Sequence, residues 1–262
     1  MTETLRIETD ARGVATLTLT RGEKHNAMSA QMMAELTEAA ATLGADRSIR
    51  VVVFASEGKS FSAGADLGWM REQVAADRAG RIAEATRLAN MLRALNEMPK
   101  PLIARVHGNA FGGGLGIISV SDVAIGASGA KFGFTETRLG IIPGTISPYV
   151  MARIGEGYAR RVMMSARIFD AQEAREFGLL AKVVEPEALD DAIEAEVAPY
   201  LAAAPEAVAR TKALVRGLGP LIDDAVMTAT IERLVDTWET PEAREGLAAF
   251  FDKSKPSWIV EE

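Results

Sequence analysis

Three consecutive glycines, Gly112-Gly113-Gly114, stand between an apolar run and a helix-like segment. Leu102-Ile103-Ala104 feeds the loop from one side, and Gly116 opens into Ile117-Ile118-Ser119-Val120 on the other. A backbone without side chains turns tightly and lets a ligand lie against its N–H groups. At a helix start those groups lack intrahelical partners and sit at the positive end of the dipole. Such a place suits an anion, or an oxygen about to become one. The plainer alternative is that the glycines only permit close helix packing.

Three familiar motifs fail here. Gly112, Gly114 and Gly116 are evenly spaced, which breaks the dinucleotide fingerprint, although an acid, Glu136, lies where a ribose ligand would be expected. Gly58-Lys59-Ser60 ends like a phosphate loop, but Val53 stands in place of its first glycine. No Gly-x-Ser-x-Gly elbow of a serine hydrolase occurs.

A second small-residue loop, Ser60-Phe61-Ser62-Ala63-Gly64-Ala65-Asp66-Leu67, leaves the strand-like run Val51–Ala55. Together the two loops resemble those of the crotonase family, the enoyl-CoA hydratase/isomerase group. The resemblance continues, in order, through Arg21–Met28, Phe132–Gly144, Ala171–Ala174 with Phe177-Gly178-Leu179, and Glu245–Phe250. Each motif is modest alone, but the ordered set covers nearly the whole chain. Glu136–Pro143 followed by Ile146–Tyr149 is similar to the bacterial subgroup that hydrates branched or carboxylated substrates such as methylglutaconyl-CoA.

The resemblance implies an α/β fold, a spiral of strand-strand-helix units over residues 1–186, and a C-terminal all-helical segment over 187–262 used in oligomerisation. It implies a homotrimer or a dimer of trimers. The residue pattern agrees with the α/β part. Leu5–Thr9 and Val14–Leu19 read as a hairpin, Ser29 as the cap of a helix to Leu43, and Trp69 to Met98 as one helix closed by Pro99. Pro101–Val106, Val123–Gly126 and Lys131–Phe134 read as strands. Residues 187–217 and 220–252 read as helices, with Thr240-Pro241 a good helix start. Asp170 with Glu173 reads as a capping box. Met227, Ile231, Leu234, Val235 and Trp238 form a stripe at helical spacing, packed either on its own domain or against a second subunit.

Charge and composition narrow the chemistry. The net charge of −7 argues against a broad nucleic-acid footprint. With no cysteine there is neither a disulfide framework nor thiolate chemistry, in agreement with a cytoplasmic protein. No apolar run is long enough for a membrane span, and the charged N-terminus does not read as a signal peptide. Two distant histidines argue against a metal site. No cofactor is expected, since CoA enters as part of an acyl-CoA thioester substrate.

The resemblance places two oxyanion donors at the N–H groups of Ala65 and Gly113. Donors fixed before the reaction stabilise an enolate on a thioester oxygen without reorganising. It assigns the acid–base role to Glu136, which Phe134 and the run Leu139–Pro143 would partly desolvate, raising its pKa. From composition alone Glu136 would be an ordinary surface acid. Hydratases of the family carry another catalytic glutamate two residues after the glycine triplet, where this chain has Gly116. One carboxylate suffices for the family's double-bond isomerases, so that activity stands as the alternative to hydration, and a non-catalytic CoA-ester binder as a third.

For the CoA end the resemblance implies Lys24, His25, Ala27, Ala63, Asp66 and Leu67, with Arg21 nearby, and Phe250 and Lys253, the last two reaching a neighbouring subunit's ligand. Trp69 and Met70 either line an acyl pocket or pack in the core. Arg138 either meets a distal carboxylate or makes an ordinary salt bridge. Tyr149 and Gly116 complete the expected pocket, and His107 is read as structural.

Overall fold

The computed structural model describes residues 2–260. Two sheets organise the core. The first has six strands in the order β1-β2-β3-β5-β7-β10: β1 (Leu5–Thr9), β2 (Val14–Leu19), β3 (Val51–Ser56), β5 (Leu102–Val106), β7 (Val123–Ala127) and β10 (Lys182–Val184). Only the β1–β2 hairpin is antiparallel. The second has four, in the order β4-β6-β8-β9: β4 (Ser60–Ser62), β6 (Asn109–Phe111), β8 (Lys131–Gly133) and β9 (Phe169–Asp170). Each turn of the chain gives one strand to each sheet: β3 then β4, β5 then β6, β7 then β8. Parallel neighbours need a crossover between them. Here it is supplied by α2 (Leu67–Ala75) with α3 (Arg78–Glu97), and then by α4 (Gly113–Val120). The expected α/β spiral is what the chain forms.

Burial follows from this layering. β3 is buried at every residue because both of its faces are covered. Phe54, Leu17 and Ala104 face α1 (Ala30–Ala45), α3 and α4, through Leu36, Leu92 and Leu115. Val51, Val53, Ile103 and Ile125 face α7 (Leu189–Ala202), through Leu189, Ile193 and Val197. Although α7 lies beyond residue 186, it thus packs on the main sheet. The chain between β8 and β10 carries α5 (Ser147–Met163) and α6 (Ala171–Glu176).

The hairpin, the Ser29 cap, the short strands and the Thr240 cap form as the sequence predicts. Two segments break where one continuous helix is predicted, 69–98 and 187–217, and a third divides where Thr240-Pro241 predicts a new start. The 69–98 segment divides because Ala76 is extended and the Asp77 side chain accepts from Gly80 N at 2.8 Å, starting a new helix. The 187–217 segment divides before α8 (Pro205–Leu218). Proline pushes Ala204 out of helical geometry, and Arg50 takes the end carbonyls of Tyr200, Leu201 and Ala203. The 220–252 segment divides at Thr240 into α9 (Asp224–Trp238) and α10 (Pro241–Asp252). The capping box is half made: Asp170 accepts from Glu173 N, but the Glu173 carboxylate turns to Arg167. The α9 stripe packs within the chain. Met227, Ile231 and Val235 meet Ala85 and Ala89 of α3, while Trp238 meets Met70 and Leu247.

Candidate active site

Three adjacent parallel strands, β4, β6 and β8, end on the same side of the small sheet. The residues that follow them are Ala63–Asp66, Gly112–Gly113 and Phe134–Glu136. Neighbouring strands lie about 4.8 Å apart, so the three expected catalytic positions are brought together by topology alone. Ligands commonly bind beyond the carboxyl ends of parallel strands.

The first loop is held by residues 21–28. Met28 N donates to Gly64 O at 2.7 Å, and Asp66 N donates to Met28 O at 3.0 Å. These two bonds occupy one edge of the Gly64–Asp66 stretch, so the Ala65 N–H points to the opposite edge. Asn26, fully buried at a φ of 50°, donates to Glu57 O and Ser60 O, and Ser62 Oγ donates to Asn26 O. Arg21 closes the frame through Asp66 at 2.9 Å and the Ala27 carbonyl at 2.9 Å. Asp66 also caps α2 by accepting from Gly68 N and Trp69 N. Burial pushes its pKa up, but Arg21 and the two amides hold it below the usual carboxylate range. Arg21 and Asp66 therefore serve each other and the loop.

The second loop turns at Gly112, whose φ of 48° and ψ of −118° suit glycine alone. Gly112 N donates to Gly133 O at 3.2 Å, tying the second loop to the third. Gly113 is the first residue of α4, so its N–H has no carbonyl within the helix. Among the described residues neither Gly113 N nor Ala65 N has a hydrogen-bond partner. The two loops touch: a Cβ on Gly64 would lie 3.0 Å from Phe111 O and 3.7 Å from Gly112 Cα.

Glu136 opens a 3-10 turn, Glu136–Leu139. As a whole residue it is half-buried, yet its Oε2 is shielded from solvent and has no hydrogen-bond partner. Oε1 would lie 3.1 Å from a Cβ on Gly112, which places the carboxyl against the glycine loop. Burial pushes its pKa up to about 7, opposed by a hydrogen bond from its own amide. A carboxyl poised there suits proton transfer near neutral pH.

Gly116 has no room for a second acid. A Cβ there would lie 2.8 Å from Ile146 Cγ2 and 3.3 Å from Leu92 Cδ2, both on buried residues. Trp69 is half-buried and donates from Nε1 to Glu84 at 2.9 Å, while Met70 packs with Ile141, Trp238 and Leu247. Arg138 is exposed and forms no ion pair among the described residues. Tyr149 is buried in the core. Its hydroxyl has no partner and is pushed up to about 12 by burial, with Arg93, Glu97 and Arg216 as its charged neighbours.

Of the positions expected at the CoA end, Lys24, His25, Ala63 and Leu67 are exposed on the two turns at the loop mouth, and Ala27 is buried beneath them. His25 Nδ1 lies 3.1 Å from Ser60 Oγ. Phe250 and Lys253 sit exposed at the far end of α10, on a different element. His107 is held by Gly58 O at 2.9 Å from Nε2. Sequence reasoning passed over the roles of Asn26, Ser62 and Met28 as the frame of the first loop. The signal in the sequence was an asparagine, a residue that tolerates positive φ, in the turn-like run 22–27.

The sequence profile of the enoyl-CoA hydratase/isomerase family matches residues 9–260. A crotonyl-CoA hydratase of Syntrophomonas wolfei is 32% identical, over 94% of this chain and 94% of that protein. A mitochondrial methylglutaconyl-CoA hydratase of Mus musculus is 31% identical, over 96% of this chain and 81% of that protein. The crystal structure of an enoyl-CoA hydratase from Shewanella pealeana superposes with a TM-score of 0.81 at 37% identity, covering 98% of this chain and 97% of that one.

Proposed function

The chain belongs to the enoyl-CoA hydratase/isomerase family, and we propose that it is a hydratase, a hydro-lyase that adds water across the 2,3 double bond of a 2-enoyl-CoA thioester. The observation that carries this reading is the Glu136 carboxyl packed against a loop with an unpaired amide, its Oε2 shielded and without a partner among the described residues.

In this reading the thioester oxygen accepts hydrogen bonds from Ala65 N–H and Gly113 N–H. The Glu136 carboxylate takes a proton from water, and the hydroxide adds to C3. The π electrons move through C2 onto the thioester oxygen as an enolate, where the two amides face the new charge. The protonated Glu136 then returns the proton to C2, and the carbonyl and the carboxylate are restored. One amide donor of this kind contributes ~3 kcal/mol of barrier lowering. No metal or redox cofactor enters the scheme. Lys24, His25, Ala27, Ala63, Asp66 and Leu67 would hold the nucleotide end, with Phe250 and Lys253 contributed from α10 of an adjacent subunit.

The apolar wall at Gly116 favours one competing activity, because it leaves a single carboxyl. In an enoyl-CoA isomerase Glu136 would lift a proton from C2 of a 3-enoyl-CoA and return it at C4. The hydratase names of both relatives support water addition. The second relative's name, with the exposed and unpaired Arg138 two residues from Glu136, supports a branched or carboxylated acyl chain. Assembly into trimers or dimers of trimers is part of the same proposal. It is supported by α8, which buries no residue and leaves Leu214, Val215 and Leu218 more than 60% exposed. A cytoplasmic location belongs to it too; no helix among the described residues is long and apolar enough to cross a membrane.

The test is a product panel. Pure protein is incubated with straight-chain, branched and carboxylated 2-enoyl-CoAs and with a 3-enoyl-CoA, and products are identified by mass. A gain of water supports the hydratase. Unchanged mass with new conjugation supports the isomerase, and CoA-ester binding without turnover supports a non-catalytic binder.

A further inference from the structure

The turn that carries Glu136 does not stand by itself. Gly140 ends it at a φ of 72°, and the Gly140 amide donates back to the Glu136 carbonyl. Ile141 N does the same at 3.3 Å. The placement of Glu136 thus depends on where Leu139 and Gly140 lie, and both are pressed on α10. A Cβ on Gly140 would fall 2.5 Å from Glu242 O and 2.7 Å from Ala243 N. A Cβ on Gly246 would fall 2.6 Å from both C and O of Leu139. Glu242 and Gly246 are four residues apart, so they lie on one helix face and form a single clamp. Trp258 closes the other side of Gly246, with Cη2 3.0 Å from the same point, and the tail before it is tied back by the Ser257 amide donating to Glu245.

These are backbone-to-backbone contacts, the kind that cannot relax by rotating a side chain. α10 is fixed from behind by Ala243 and Leu247, which pack with Met70, Ile141 and Trp238. Apart from Glu136 itself, the charged side chains of the two elements, Arg138, Glu242, Arg244, Glu245 and Asp252, are all exposed. The clamp therefore acts through shape rather than charge.

We infer that α10 braces the catalytic turn, with Gly246 as a positioning residue that sets how the Glu136 carboxyl meets the substrate. The inference rests on the proposed role of Glu136. A methyl group at 246 has to push the Leu139 backbone, and a displacement near 1 Å at a reacting group costs on the order of a hundred-fold in rate.

The experiment compares wild type, Gly246→Ala and, as a control, Gly157→Ala on α5, where an added Cβ meets nothing within 4 Å. Turnover of the best substrate from the product panel is measured across pH. In parallel the Glu136 carboxyl is titrated by carbon-13 NMR, assigned by its loss in Glu136→Gln. Gly246→Ala is expected to lower kcat about a hundred-fold with KM changed much less, and to move the Glu136 titration toward the ordinary carboxylate range as water reaches it. Gly157→Ala is expected to match wild type. A folded Gly246→Ala protein with unchanged kcat and an unchanged Glu136 titration overturns the brace. Should Gly246→Ala fail to fold, Leu247→Ala, which loosens α10 by a cavity instead of a clash, is read by the same two measurements. A fall in its kcat with a lowered Glu136 titration supports the brace, and no change in either overturns it. If wild type turns over no enoyl-CoA, the functional reading fails, while the NMR titration still decides the brace.

Discussion

Ile146 occupies the space that any side chain on Gly116 would need, with its Cγ2 2.8 Å from the position of an added Cβ. Position 116 is thereby closed to a second carboxyl by packing as well as by sequence. Gly116→Ala gains helix propensity but overfills the wall, and overpacking of this kind costs about 1–3 kcal/mol. On an Ile146→Ala background the same substitution is expected to cost much less. Chemical denaturation of the four proteins of this cycle measures the coupling; additive effects would contradict the packing account.

Glu136→Gln keeps the shape of the side chain and removes its proton chemistry. Turnover is expected to fall by roughly 10²–10⁴, while CoA-ester binding, measured by calorimetry, stays close to wild type. Full activity in that variant would remove the assignment.

The raised pKa of Glu136 sets two pH dependences. Water addition needs the carboxylate, so kcat/KM is expected to rise with pH, level off above about 7, and report the free enzyme. Stability runs the other way. Between the ordinary value of 4.5 and about 7 the folded protein holds a proton that the unfolded chain has released. Stability therefore declines as pH rises through that window, by about 3 kcal/mol in total from this one group. Urea titrations at pH 5 and pH 8 are expected to show this loss in wild type and not in Glu136→Gln.

Asp66 joins the Ala63–Asp66 loop to α2 and to Arg21. Asp66→Ala removes a helix cap worth about 1 kcal/mol and leaves a half-buried guanidinium without its carboxylate. We expect lower stability, and a fall in kcat as the Ala65 amide loses its fixed direction. Arg21→Met, tested beside it, is expected to lower stability in the same direction through the same frame.

Much of the site was legible because it is built from small residues after apolar strands. Gly112–Gly114 after Leu102–Val106, and Ala63–Asp66 after Val51–Ser56, announce backbone chemistry at strand ends, and Glu136 follows the third strand in the same way. The ordered motifs carried the spiral. The helix breaks were harder to see. Asp77 reads as one more polar residue until its side chain is seen to cap Gly80, and the Ala203–Ala204 break needs Arg50 from a distant strand. The apolar wall at Gly116 and the clamp of Gly246 on Leu139 are contacts between segments far apart in the chain, which no local period encodes. The α9 stripe shows the same limit: its spacing marks an apolar face, and only the fold shows that α3 covers it.

The most direct test concerns the two amides. A 2-enoyl-CoA labelled with carbon-13 at the thioester carbonyl is bound to Glu136→Gln, which holds it without turnover, and its carbonyl stretch is read by difference infrared spectroscopy. Polarisation by Ala65 N–H and Gly113 N–H predicts a stretch clearly below that of the free thioester. A bound carbonyl at the free frequency would contradict the account.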